Sequence, residues 1–173
     1  MQLDFNQNET IYVIDTSGLI KLEATFKPDN PVFSAIWEEI EDLINQGLFR
    51  TIDFVEEEIN RYEGKEEFLK TWVKKHKKRF VATTDAESIN AAIPIINSEY
   101  GTGFFDAKKQ AEGQEEADPY LIGYCKVHTC VLITNEKKEA HNKIPAVSKK
   151  NDVRCMDIYD FLQERGLRME RRK

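Results

Sequence analysis

Ile11-Tyr12-Val13-Ile14-Asp15-Thr16-Ser17 is an apolar run that stops abruptly on an acid and two hydroxyls. Four apolar residues without alternation predict a strand buried on both faces, the kind found in parallel sheets covered by helices. Cys130-Val131-Leu132-Ile133 repeats the design and is followed by Thr134-Asn135-Glu136. In an open parallel sheet, ligands bind beyond the carboxyl ends of the strands. Asp15 and Glu136 therefore stand where chemistry is expected, far apart in sequence but projecting toward one sheet edge.

Between and beyond these strands the chain alternates in type. Leu19 to Ala24 begin a short helix. Asn30 and Pro31 open an amphipathic helix carrying Phe33, Ile36, Trp37, Ile40, Leu43 and Ile44, and Gly47 sits where a C-terminal cap belongs. Leu48 to Ile52 reads as extended. Asp53 with Glu56 resembles a capping box for a helix through Arg61, and Thr84 with Glu87 a second one for a helix toward Tyr100. Glu66 to Lys75 reads as a helix and Phe80 to Thr83 as a strand. The polar, glycine-bearing stretch from Gly101 to Glu116 reads as a mobile loop; it lacks the Lys-Ser/Thr of a phosphate-cradling P-loop. Pro119 to His128 predicts a helix, Arg154 to Met156 a last strand, and Ile158 to Glu164 a last helix. Alternating strands and helices predict an α/β fold, one domain over residues 1–173, with a mainly parallel central sheet flanked by helices on both faces and flexible ends at 1–10 and 167–173.

Composition limits the function classes. With 40% hydrophobic and 32% charged residues the 173-residue chain is globular rather than disordered. No apolar run reaches membrane-spanning length, and the first residues lack the basic and apolar regions of a secretory signal, so a cytoplasmic location and no membrane partner are expected. Cys125, Cys130 and Cys155 sit among apolar neighbours with no close pair, and His76, His128 and His141 have no ligand spacing, so zinc is not indicated. The net charge of −6 opposes a simple basic surface for nucleic acid. Lys74 to Arg79 and the tail from Arg165 to Lys173 permit phosphate contact, but a solvated helix end and a frayed terminus explain them as well.

Two further acids belong in the same frame. Asp118 stands at the start of the helix that precedes the second buried strand and can point to the same edge. On the 53–61 helix, Glu58 borders the apolar face set by Phe54, Val55 and Ile59, Glu57 is the less favoured choice, and Glu56 reads as capping. Clustered carboxylates raise one another's pKa, and a divalent cation relieves the repulsion; oxygen-only ligands suit Mg²⁺ or Mn²⁺. Such ions support phosphodiester hydrolysis. Each acid also has a plainer reading. Asp15 and Asp118 can cap helices, Glu58 belongs to a Glu-Glu-Glu run typical of a solvated face, and Glu136 precedes two lysines as in an exposed loop. Glu115 and Glu116 read as surface.

The chain resembles PIN domains, the nuclease superfamily that includes VapC toxins of toxin–antitoxin pairs, and within it a branch of uncharacterised bacterial PIN-like proteins. The likeness is carried by Tyr12-Val13-Ile14-Asp15-Thr16-Ser17, Val55-Glu56-Glu57-Glu58-Ile59, Ala117-Asp118-Pro119-Tyr120-Leu121-Ile122 and Leu132-Ile133-Thr134-Asn135-Glu136, in that order, together with the Trp37 helix, Ile144-Pro145-Ala146-Val147 and Cys155-Met156-Asp157-Ile158. It implies a PIN-like fold and a metal-dependent nuclease, with RNA the expected nucleic-acid substrate and 5′-phosphate and 3′-hydroxyl products. Asp15, Glu58 and Asp118 would be metal ligands for Mg²⁺ or Mn²⁺, and Glu136 stands where the family's Thr-x-Asp segment has Asp. Thr16, Ser17 and Thr134 would support the site. An antitoxin protein and a second copy of the chain are the partners implied, the amphipathic Trp37 helix offering a surface. Two other readings stay open: a PIN-like binding module with little or no catalysis, and a metal-dependent phosphatase acting on a small molecule.

Overall fold

The computed structural model describes residues 9–62 and 67–168. The expected flexible ends lie largely outside these residues, as do Glu66 and the Arg171-Arg172-Lys173 tail. Five strands, β1 Tyr12–Ile14, β2 Phe49–Ile52, β3 Val81–Ala82, β4 Val131–Ile133 and β5 Cys155–Met156, form one sheet in the order β3-β2-β1-β4-β5, and every pairing is parallel. The expected α/β class holds, with a sheet that is parallel throughout. All three residues of β1 and of β4 are buried, as unbroken apolar runs require when helices cover both faces.

The chain leaves β1 in one direction for β2 and β3, then returns to pair β4 on the other side of β1. That reversal creates a crevice at the carboxyl ends of β1 and β4. The register sets Ile14 beside Ile133, so Asp15 and Thr134 emerge side by side. Helix α1 (Thr16–Thr25) follows β1 at once. A 3-10 turn over Pro31–Phe33, capped by the Asn30 side chain, leads into α2 (Ser34–Gln46), which Gly47 ends in the left-handed region at φ 77°. Ile36, Trp37, Ile40, Leu43 and Ile44 of α2 are buried in the core, and the Trp37 indole donates to the Phe26 carbonyl. The apolar face expected to serve a second copy is thus spent within the molecule. Exposed isoleucines stand instead at Ile89 and Ile93.

Helix α3 (Asp53–Arg61) starts directly from β2, and α4 (Glu67–Phe80) runs a turn longer than the sequence suggests. Phe80, expected in the strand, ends α4 and stacks on Phe49 with ring centroids 6.0 Å apart. Three basic residues of α4 meet acids of neighbouring helices, Lys77 with Glu56 and both Lys75 and His76 with Glu41, as befits a solvated helix end. Neither expected capping box forms. The Asp53 carboxylate accepts from the Thr84 amide and hydroxyl, tying the end of β2 to the end of β3. With Thr84 so engaged, α5 (Ala86–Glu99) is capped by Asp85, which accepts from the Ser88 amide.

The stretch read as a mobile loop contains α6 (Ala107–Ala111), capped by Asp106, and buries Phe104. Helix α7 (Asp118–His128) packs closely on α5. A Cβ on Gly123 would stand 2.6 Å from the Ser88 carbonyl oxygen and 3.0 Å from the Ala92 nitrogen, so only glycine permits this approach. Helices α8 (Ile144–Lys150) and α9 (Ile158–Glu164) complete the chain. Among the described residues no helix is long and apolar enough to cross a membrane.

Candidate active site

Asp15 is held by donors from both strand ends. It is 3% exposed and caps α1, its Oδ1 accepting from the Gly18 amide at 2.5 Å. Its Oδ2 accepts from the Thr134 hydroxyl at 2.5 Å and the Ser17 hydroxyl at 2.8 Å. Ser17 also accepts from the Asn135 amide, so hydroxyls from both strand ends form one network around the carboxylate. Burial nevertheless pushes Asp15 up from 3.8 to about 7, against the pull of those donors and with help from the Glu136 charge. Gly18 keeps the cap tight: a Cβ there would meet Asp15 Oδ1 at 2.9 Å and Ile14 Cγ1 at 2.8 Å.

Glu58 does turn inward. Val55 and Ile59 of α3 are buried, and Glu58, one turn after Val55, lies at the edge of their face. Its Oε2 accepts from the Thr16 hydroxyl at 2.5 Å and its Oε1 from the Ala117 amide at 3.1 Å, linking α1, α3 and the start of α7. Glu57 faces solvent and pairs with Arg61. The choice between them is decided by the helix.

Asp118 is the first residue of α7, and Ala117 rather than Asp118 holds the cap position, with no side-chain capping bond. The plainer reading of Asp118 as a cap is not what the structure shows. Among the described residues no hydrogen bond or ion pair reaches its carboxylate. Burial first, then the charges of Glu136, Asp15, Glu58 and Glu116, all push its pKa well above the usual carboxylate range. An acid so placed needs either a proton or a cation.

Glu136 lines the same pocket but has another occupation. Its Oε2 accepts from the Ile144 amide at 2.7 Å and its Oε1 lies 3.4 Å from the Lys143 ammonium, so it closes the N-terminus of α8. The other end of that helix is fixed by Lys150, which donates to the buried Glu99 at 2.9 Å. Glu136→Ala is therefore expected to lower stability by about 1 kcal/mol without any metal present. An unchanged melting temperature in EDTA would show that the Ile144 contact is not made in solution.

Together these residues line a cavity of about 520 Å³ at the carboxyl ends of β1 and β4. Asp15, Thr16, Ser17, Glu58, Asp118 and Glu136 all contribute to it, and Thr134 stands just behind Asp15. Sequence reasoning missed Glu116, placed on the surface with Glu115. Its side chain is 8% exposed, lines the cavity and accepts from the Asp106 amide at 2.9 Å. The adjoining Ala117 is also buried, so the chain has turned inward before α7 begins, and nothing in the local sequence announces it. Lys109 was missed as well; its ammonium lies 3.7 Å from Glu116 and 4.0 Å from Glu58.

Oxygen-only groups around one cavity, with Asp15 buried and Asp118 without a hydrogen-bond donor or ion pair among the described residues, suit a hard divalent cation such as Mg²⁺ or Mn²⁺. On that chemistry the residues fit. Among the described residues no three acids, histidines or cysteines stand already gathered as metal ligands around one point.

The sequence family described as Domain of unknown function (DUF4411) matches over residues 12–169. No curated protein matches the chain. Among solved structures, FitAB bound to an IR36 DNA fragment is 13% identical over 85% of this chain and 94% of that one, with a TM-score of 0.49. PAE2754 from Pyrobaculum aerophilum is 12% identical over 92% and 98%, with a TM-score of 0.49. FitAcB from Neisseria gonorrhoeae is 13% identical over 84% and 96%, with a TM-score of 0.47.

Proposed function

The chain belongs to the DUF4411 family, and from that premise and the carboxylate pocket we propose that it is a metal-dependent nuclease, an endoribonuclease of the PIN-like kind. The observation that carries this reading is the Asp118 carboxylate, held among other acids at a sheet switch point with no donor of its own. Asp15, Glu58 and Asp118 would hold Mg²⁺ or Mn²⁺, and such an ion, when bound, supplies the charge that activates water and stabilises a leaving oxygen. The chain's own residues do the rest. Ser17, Thr134 and the Gly18 amide fix the Asp15 carboxylate in one orientation. Thr16 fixes one Glu58 oxygen, and the Ala117 amide the other. Arg61, Lys109 and Lys143 line the cavity and supply the positive charge that a phosphodiester requires in an otherwise acidic pocket.

We read this activity as that of a toxin of a toxin–antitoxin pair acting in the cytoplasm, with an antitoxin protein and a second copy of the chain as partners; the PIN resemblance supports the toxin role. Incubating end-labelled RNA and DNA of one sequence with the protein and Mn²⁺ tests the activity directly. RNA cut to 5′-phosphate and 3′-hydroxyl ends, and left whole in EDTA, is the expected result.

Two observations favour a second reading, a PIN-like binding module without catalysis. The Glu136 carboxylate is engaged with α8, and the acids are not gathered as ligands without metal. Calorimetry with Mn²⁺ separates the two: no saturable binding at millimolar metal, with intact RNA and DNA, replaces the nuclease by the module.

A further inference from the structure

The cavity has a second character beside its acids. Arg61 and Tyr62 close α3 one turn beyond Glu58, and both line the cavity; Tyr62 is 44% exposed. Phe105 and Lys109 line it too, from the segment that carries α6. The Lys109 ammonium approaches Glu58 to 4.0 Å, which brings it beside the turn of α3 that ends in Arg61 and Tyr62.

An exposed tyrosine or a surface lysine is ordinarily no more than surface. Three features set these apart. Phe105 packs edge-on against Phe104 with centroids 5.0 Å apart, and Phe104 is buried, so the ring is held rather than loose. The segment is fixed again where the Asp106 amide donates to Glu116. Among the described residues Arg61 makes its ion pair with the exposed Glu57, a contact of little strength that a phosphate can replace.

Aromatic faces next to cations are the combination that takes an unstacked base together with its phosphate. We infer that Arg61, Tyr62, Phe105 and Lys109 form a nucleotide subsite beside the carboxylates, with a base against the aromatic rings and the adjoining phosphate against the cations. The inference rests on reading the pocket as a nucleic-acid site. A base inside a duplex has both faces stacked, so the occupant is an unpaired strand.

Fluorescence anisotropy with a short fluorescein-labelled unpaired RNA, in EDTA, tests the subsite without metal or turnover. Tyr62→Leu is expected to weaken binding by about 5- to 100-fold, while Tyr62→Phe retains it within about twofold. Lys109→Ala reduces the slope of log affinity against log salt by about one. The same sequence as a duplex binds more weakly than the single strand. Tyr62 is exposed, so unchanged circular dichroism in its variants is expected, and Phe105→Leu gives an independent second reading of the same loss. If wild-type binding is not measurable, or if Tyr62→Leu and Phe105→Leu both bind within about twofold of wild type, the subsite is wrong. Should wild type still cut RNA in that case, the nuclease reading survives alone. Tyr62-dependent binding by a protein that cuts nothing in Mn²⁺ leaves the subsite standing and removes the nuclease.

Discussion

Replacing Asp118 with Asn is expected to reduce Mn²⁺-dependent cleavage by about 100-fold or more while leaving the metal-free protein at least as stable as the parent. The two halves of this result come from one fact. Asp118 makes no capping bond at the start of α7, so Asn sacrifices no contact there. Its negative charge is opposed by burial and by Glu136, Asp15, Glu58 and Glu116, so removing it relieves repulsion. A carboxylate retained purely for structure behaves in the opposite way, because its loss leaves donors unpaired and lowers the melting temperature. Cleavage of labelled RNA, calorimetry with Mn²⁺ and thermal denaturation in EDTA at neutral pH give the three readouts. Cleavage within about twofold of the parent sinks the ligand role. A lowered melting temperature assigns Asp118 to the framework instead.

The opposite signs expected for activity and stability at Asp118 mark a site built at some cost to the fold. Asp15 shows the compromise. It is surrounded by the Gly18 amide and the Ser17 and Thr134 hydroxyls, yet burial still dominates its titration. Glu58 and Glu136 each have donors of their own: Thr16 and the Ala117 amide for one, the Ile144 amide and Lys143 for the other. Asp118 alone of the four has neither arrangement.

Much of this was legible in the sequence, for reasons that differ by element. The strands β1 and β4 announce themselves because a strand buried on both faces must be apolar at every position, and the acid or hydroxyl that follows marks its carboxyl end. Glu58 could be chosen over Glu57 because helical periodicity ties it to Val55 and Ile59. What failed was local pattern overridden by distant partners. Asp53 and Thr84 each look like a cap, but 31 residues apart they satisfy one another across the sheet edge. The role of Glu136 depends on an amide eight residues on, and that of Glu116 on the fold of the segment before it. The short strands β3 and β5, two residues each, do lie inside the extended stretches expected at Phe80 to Thr83 and Arg154 to Met156, and pairing with β2 and β4 sets their ends.

The metal-free protein is expected to lose stability as pH rises from about 4 to about 7, and Mn²⁺ to restore it most at the alkaline end of that range. Asp15 sets the window. Below about pH 4 its carboxyl is protonated in both the folded and the unfolded chain. Above that, the unfolded chain gives up the proton near 3.8, while the folded protein retains it until about 7. The folded state therefore binds more protons through the interval, and stability falls with rising pH. Above about 7 both states are ionised and the loss is complete, of the order of 4 kcal/mol for a shift of this size. Asp118 adds in the same direction. Asp85, held down to about 2 by the Ser88 amide and by His128, acts at more acid pH, where it makes stability rise. His76, pushed down by burial, also favours the folded state as pH climbs toward 6.5. The carboxylate effect is accordingly read as the difference between wild type and Asp15→Asn, whose amide can still accept from Gly18 while the hydroxyls rotate to meet its NH₂ group. Metal ligands must be deprotonated, so Mn²⁺ should raise the melting temperature little at pH 5 and substantially at pH 8. A wild-type curve parallel to that of Asp15→Asn across this range would mean that Asp15 ionises freely. A metal-induced shift of equal size at both pH values would mean that the ion binds elsewhere, because the competition between proton and cation for one set of oxygens is what makes the shift depend on pH.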